Sequence, residues 1–169
     1  EDDGGEKPEK IGKDITDYIE YLSENKCDVI GVSTGFPRYD VAIGGGLRRK
    51  CVDLVAARPK VGKSVFADNV AVNVAREGTP VLVLDTEMSK EDHLNRIIAN
   101  LSGVPINEVA TGKFVDDDEK SQRVHEAVEQ IQDIPYNYVS VAGKPFEQIL
   151  NIIKRWIIQD VKQDENGRT

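Results

Sequence analysis

The sequence predicts an α/β fold: a mainly parallel sheet with helices on both faces, preceded by an amphipathic helix. Three observations carry this. Apolar runs of strand length alternate with stretches of helical periodicity along most of the chain. Ala57-Arg58-Pro59-Lys60-Val61-Gly62-Lys63-Ser64 has the spacing of a phosphate-cradling P-loop between a strand and a helix. Val81-Leu82-Val83-Leu84 is a continuous apolar run, as strands buried in parallel sheets are.

The loop is the most demanding element. Its backbone N–H groups must turn inward around an anion, and the following helix must aim its positive dipole end at the phosphates. Gly62 permits the close approach, Lys63 fits as a point charge on the β/γ-phosphates, and Ser64 fits as the hydroxyl ligand of Mg²⁺. The general pattern wants Gly at its first position, where this chain has Ala57. Val52-Asp53-Leu54-Val55-Ala56 predicts the strand ahead of the loop, and residues 64–76 predict the helix behind it, stopped at Gly78 and Pro80. The plainer alternative is a Gly-Lys-Ser turn before an ordinary core helix. The flanking strand and helix favour the phosphate loop.

Bulk properties exclude some classes. The 169 residues, 39% hydrophobic and 31% charged, suit one soluble globular domain with a sizeable core. No apolar run approaches the roughly 20 residues of a membrane span, and the acidic start Glu1-Asp2-Asp3 is unlike a signal peptide. A cytoplasmic location is therefore expected, in a bacterial cell or, for a phage gene, in its host. Cys27 and Cys51 read as reduced thiols, lacking metal spacing. The net charge of −8 argues against a surface that binds nucleic acid all over, yet leaves room for a local channel. Arg48-Arg49-Lys50 reads equally as a solvated turn or a contact site.

In chain order, residues 1–10 read as a flexible tail or the end of a linker. Ile11, Ile15, Tyr18, Ile19 and Leu22 form a narrow stripe on a helix over 11–24, which must bury that stripe on its own domain or on a neighbouring subunit. Gly31 to Asp40 and Gly44-Gly45-Gly46-Leu47 say only that the chain turns tightly. Asp85-Thr86-Glu87-Met88 follows the apolar strand, at the edge where parallel sheets bind ligands. Glu87 is therefore the candidate to orient or deprotonate water attacking a γ-phosphate. The alternative is that Asp85 or Glu87 merely begins the next turn. Ser89-Lys90-Glu91-Asp92 caps a helix over 90–101 that carries His93 and Arg96, with His93 read as surface or packing rather than a ligand. Pro105 to Gly112 reads as a helical turn, and Asp116 to Glu119 as a helix start in preference to a cation site. Val124, Ala127, Val128 and Ile131 are the buried stripe of that helix. Residues 136–141 alternate as a third strand, a helix with Trp156 in its apolar face follows Pro145, and residues 163–169 form a polar tail.

Three segments together resemble a known family: Thr34-Gly35-Phe36 with Asp40 and Gly45-Gly46-Leu47; Ala57-Arg58-Pro59 through Gly62-Lys63-Ser64; and Glu87-Met88-Ser89 followed by Leu94 and Arg96. The chain resembles, over roughly residues 31–156, the motor domain of DnaB-type replicative DNA helicases, a RecA-like P-loop NTPase fold. The family commonly carries the Ala-Arg-Pro variant. The resemblance implies a ring-shaped hexamer that hydrolyses ATP, or another nucleoside triphosphate, with Mg²⁺ at subunit interfaces to move along single-stranded DNA. It implies that Ala57, Arg58, Pro59, Lys60, Val61, Gly62, Lys63, Ser64 and Val65 hold the nucleotide. Ser64 would then hold Mg²⁺, and Lys63 and Glu87 would serve the chemistry. It implies a linker helix over 11–24 docked on the next subunit, and primase among the partners. Residues 1–30 are then tail and linker helix, and 31–169 the N-terminal part of the ATPase domain. Asp85 and Thr86 stand where the family usually has Ser and Leu, and Ser64 where Thr is commoner. No apolar strand ending in Asp, the family's Mg²⁺-orienting element, follows residue 160. A truncated fragment is therefore expected, its DNA-binding loops and arginine finger lying beyond Thr169. Such a fragment would bind nucleotide weakly or not at all, hydrolyse it poorly and not unwind DNA. Two other readings are a RecA- or KaiC-like recombinase or regulator, and a non-hydrolysing replisome scaffold or loader.

Overall fold

Two apolar strands with a long helical connection between them are expected to pair in parallel, and this pair does. In the computed structural model, which describes residues 8–26 and 30–161, β1 (Val81–Asp85) runs beside β2 (Tyr136–Ser140) in register from Val81 opposite Tyr136 to Asp85 opposite Ser140. Every residue of β1 is half-buried rather than fully covered. The helices are α1 (Ile15–Glu24), α2 (Pro37–Ala42), α3 (Lys63–Arg76), α4 (Lys90–Ser102), α5 (Ile106–Thr111), α6 (Asp118–Gln132) and α7 (Phe146–Asp160), with a 3₁₀ turn at Lys113–Asp116. The crossover between the strands consists of α4, α5, the 3₁₀ turn and α6.

The punctuation follows the sequence closely here. Ser89 and Asp92 form a reciprocal capping box at the start of α4, and Gly103 ends it with φ +67°. Asp117 caps α6 by accepting from the backbone N–H groups of Glu119 and Lys120, so the acidic run is a helix start. The core lies where α4, α5 and α6 meet: Val104, Val109 and Val124 are buried there, with Ile98, Ala99 and Phe114 packed against them. Val72 and Ala75 of α3, Ile97 of α4 and Ala127 of α6 are buried as well.

Four expectations need correction. Val52–Ala56 forms no strand: among the described residues it has no ladder partner. It keeps a strand's alternation all the same. Val52 and Leu54 are 95% and 91% exposed, while Asp53 and Val55 border an apolar groove of about 370 Å³ with Phe66, Val70 and Val81. Apolar alternation suits a strand, but pairing needs a neighbour, and the described ladder of β1 is made with β2. Second, the turn-rich stretch contains a helix, α2, which Pro37 starts at its first position. Third, residues 11–14 are turns, and α1 begins only at Ile15 because Asp14 takes a left-handed φ of 61°. Fourth, residues 136–141 supply the second strand, ending at Ser140. Trp156 sits half-buried on α7, as do Ile152 and Ile153. Cys51 is an exposed free thiol. Cys27, most of the N-terminal tail and the polar tail 163–169 lie outside the described residues.

No helix among the described residues is long and apolar enough to cross a membrane.

Candidate functional site

The site is built by two turns, one leading into α3 and one leaving β1. In the first, Lys60 and Gly62 both take left-handed backbone conformations, φ 66° and 104°. The Gly62 conformation costs a glycine nothing, and the space a Cβ would fill there is open. Gly62 is the N-cap of α3, and its carbonyl already accepts from the N–H of Phe66 at 2.9 Å. The first-turn N–H groups that follow have no partner within a helix and point out of its positive end. Lys63 is exposed and Ser64 half-buried on that first turn.

The second turn is organised by Asp85, the last residue of β1. Its Oδ1 accepts from the backbone N–H of Glu87 at 2.5 Å and of Met88 at 2.8 Å. Its Oδ2 lies 3.0 Å from His93 Nε2. Partial burial alone would raise the pKa of Asp85, but the two N–H groups and then His93 outweigh it and hold the carboxyl below its ordinary value. An ionised carboxylate only accepts, so His93 Nε2 is the donor. Tyr138 Oη donates to the Met88 carbonyl at 2.6 Å and closes the turn from β2. Asp85 does begin the next turn, while Glu87, two residues on, is exposed to solvent.

These turns meet at a cavity of about 500 Å³ lined by Ala57, Arg58, Pro59, Lys60, Gly62, Lys63, Ser64, Val65, Glu87 and Arg96. The structure therefore brings every predicted loop residue except Val61 to the cavity, together with Glu87. Four cations line it against one carboxylate, a field that suits an anion. Arg96 is the residue that sequence reasoning did not place in the site. Its helical position set it on α4, but only the turn at Asp85 swings that helix toward the loop. Its Nη1 is tethered to Asp68 Oδ2 of α3 at 3.0 Å.

The donor set fits a polyphosphate: backbone N–H groups at a helix start, basic side chains and a hydroxyl, around space large enough for it. Among the described residues no group of three or more His, Cys, Asp or Glu side chains could hold a metal alone. A Mg²⁺ ion here would take Ser64 and share phosphate oxygens, the usual manner for this ion. A neighbouring cavity of about 540 Å³ between α3 and α4 is walled by Val65, Val72, Ile97 and Ile106 and offers no comparable set of cations.

The motif around Thr34 braces this site from behind. Asp40, 4% exposed, accepts from Thr34 Oγ1 at 2.6 Å, from Thr34 N at 3.0 Å and from Ser33 Oγ at 2.7 Å. Asn73 of α3 donates to the Thr34 carbonyl at 3.0 Å, and Phe66 of α3 stacks on Phe36 with centroids 5.7 Å apart. Thr34, Phe36 and Asp40, with Gly35 against Asn73, thus form a clasp on the helix that carries Lys63 and Ser64.

Fold and cavity together define a P-loop α/β domain of the RecA type. A solved ATPase domain superimposes on it with a TM-score of 0.78 at 21% identity, over 93% of this chain and 55% of that one. A DnaB-like replicative helicase described with its interactions with primase matches with the same TM-score at 22% identity, over 91% of this chain and 38% of that one. The chain belongs to the DnaB-like helicase C-terminal domain family, whose profile matches residues 31–163. It is 39% identical over 109 residues to the replicative DNA helicase DnaB of Pasteurella multocida, which is 63% of this chain and 23% of that protein. It is 28% identical over 148 residues to the DnaB of Treponema pallidum, 87% of this chain and 33% of that protein. The chain spans between a fifth and a third of these relatives' lengths.

Proposed function

We propose that the protein containing this chain is the motor of a replicative DNA helicase, coupling nucleoside triphosphate hydrolysis to movement on single-stranded DNA. The single observation that carries the reading is the cavity that gathers Arg58, Lys60, Gly62, Lys63 and Ser64 of the loop with Glu87 and Arg96. Family membership and the replicative helicases among the relatives support it.

In this reading the loop backbone and Lys63 grip the β- and γ-phosphates, and Ser64 supplies the protein ligand of Mg²⁺. The ion, when bound, neutralises phosphate charge. Glu87 orients a water toward the γ-phosphate and takes its proton, and its exposed position leaves room for that water. Arg96, held by Asp68, faces the same charge as it develops. ATP is the nucleotide proposed. The exposed stripe of α1, Ile15, Tyr18, Ile19 and Leu22 at 44–59% exposure, docks on a neighbouring subunit of a hexamer. Primase is a proposed partner, supported by the structural neighbour described with its interactions with primase.

The chain on its own binds nucleotide weakly and does not unwind DNA. Val52–Ala56, which leads into the loop, has no strand partner in the described ladder, so the loop is held from the α3 side alone. A thermal-shift titration with ATP and Mg²⁺ tests this. Saturation to about a hundredfold over Kd would add about 2.7 kcal/mol. The expected shift grows only in the millimolar range and disappears in Lys63→Ala. An equal shift in Lys63→Ala would sink the phosphate-loop reading, and saturation at micromolar ATP would sink the weak binding.

A further inference from the structure

His93 is buried beside the site, and the chemistry above gives it no task. Its side chain is 4% exposed and lies between two carboxylates, Asp68 of α3 at 9% and Asp85 of β1 at 19%. Nε2 donates to Asp85 Oδ2 at 3.0 Å. Nδ1 stands 3.0 Å from Asp68 Oδ1, near enough for an ion pair but out of line for a good hydrogen bond. The His93 ring also lies against Tyr138, centroids 5.0 Å apart, and Tyr138 holds the Met88 carbonyl.

The connections form one path. Asp68 is a little over one helical turn beyond Lys63 on the loop's own helix. Asp85 grips the N–H groups of Glu87 and Met88 with the oxygen that His93 leaves free. A side chain that merely filled the core would touch neither, and a buried imidazole between carboxylates is costly unless its contacts are made.

We propose that His93 is a positioning residue, bridging the phosphate-loop helix to the Asp85 turn so that Glu87 is held at a fixed distance from the bound phosphates. This rests on the reading of Glu87 as the water-orienting carboxylate. His93 touches no substrate. It acts by fixing the Asp85 carboxylate, and through it the backbone of Glu87, in the way outer-shell partners fix a reacting group. A misplacement of about 1 Å in such a group costs up to about a hundredfold in rate.

The test uses the complete gene product with three substitutions, His93→Leu, His93→Gln and His93→Asn. Steady-state ATP hydrolysis is measured together with amide hydrogen exchange at residues 86–88. A Gln amide reaches as far as the imidazole Nε2 and keeps the bond to Asp85, whereas an Asn amide reaches only as far as Nδ1. The expected result is that Leu and Asn lower kcat about tenfold or more with KM within about twofold, the signature of a lost transition-state interaction. The same two variants speed exchange at the Glu87 and Met88 amides by about tenfold, a local opening of the turn alone. Gln, which keeps the Asp85 bond and gives up only the approach to Asp68, keeps exchange near wild type and lowers kcat less than Leu and Asn do. Asn, being polar, covers the case in which Leu does not fold. Unchanged kcat in Leu and Asn, or exchange that rises equally across β1 and α4, would overturn the proposal in favour of plain packing. If the wild type hydrolyses no nucleotide, the reading of Glu87 fails by itself. Exchange at 87 and 88 then still decides whether His93 holds the turn.

Discussion

Asp40 shows how a residue that chemistry does not use can decide whether the site exists. Burial alone would raise its pKa, but the bonds from Thr34 and Ser33 outweigh burial and hold it below the ordinary 3.8. A depressed folded-state value means that the carboxylate stabilises the fold above the ordinary value, and that this contribution drains away as pH falls through the folded-state value. Asp40→Ala leaves three donors unanswered in a buried place and should cost about 3 kcal/mol at neutral pH. Urea denaturation at pH 7 and at about pH 3 reads it, and the gap between wild type and variant should narrow at the lower pH. A gap independent of pH would mean that Asp40 acts by shape alone. Asp40 is plain in the sequence and its partners Ser33 and Thr34 are close by, but the bond that ties them to α3 comes from Asn73, 39 residues from Thr34 and beyond any local pattern.

Elements with a strong internal period were the legible ones. The helix after Gly62, the apolar strand at Val81 and the capped helix at Ser89 announce themselves through apolar spacing and punctuation, which are local properties. Two elements were not legible for physical reasons. The helix at Pro37–Ala42 is six residues long, too short for a periodic stripe, and is held by the clasp rather than by propensity. The run Val52–Ala56 has the alternation of a strand, yet strand formation is a property of pairs. In the site, the same limit hid Arg96 and His93: helical position was readable, but their neighbours on α3 and β1 were not. Gly35, between the clasp and α2, offers a test. It has φ +78°, and a Cβ there would run into the Asn73 amide, so Gly35→Ala should push Asn73 off the Thr34 carbonyl. About 1–3 kcal/mol of destabilisation is expected from the strained φ and the displaced bond, read by thermal melts. A variant as stable as wild type would show that the clasp bears on nothing.

For the molecule as a whole, much of what would complete a motor is contact with something else. None of the residues of α1 is buried, although its stripe is apolar. Ile19, 58% exposed, therefore discriminates: Ile19→Asp should leave the stability of this chain within about 0.5 kcal/mol while weakening self-association of the complete protein in sedimentation. A clear loss of stability in the isolated chain would place the stripe against its own domain instead. Whether the complete protein is a DNA-driven motor with its chemistry at Glu87 is decided by one assay, ATP hydrolysis of the complete gene product with and without single-stranded DNA, beside a Glu87→Gln variant. Hydrolysis should be stimulated by DNA and should fall by about a hundredfold or more in the variant, as for a group acting on the attacking water. Hydrolysis indifferent to DNA, or a Glu87→Gln variant as fast as wild type, would contradict it.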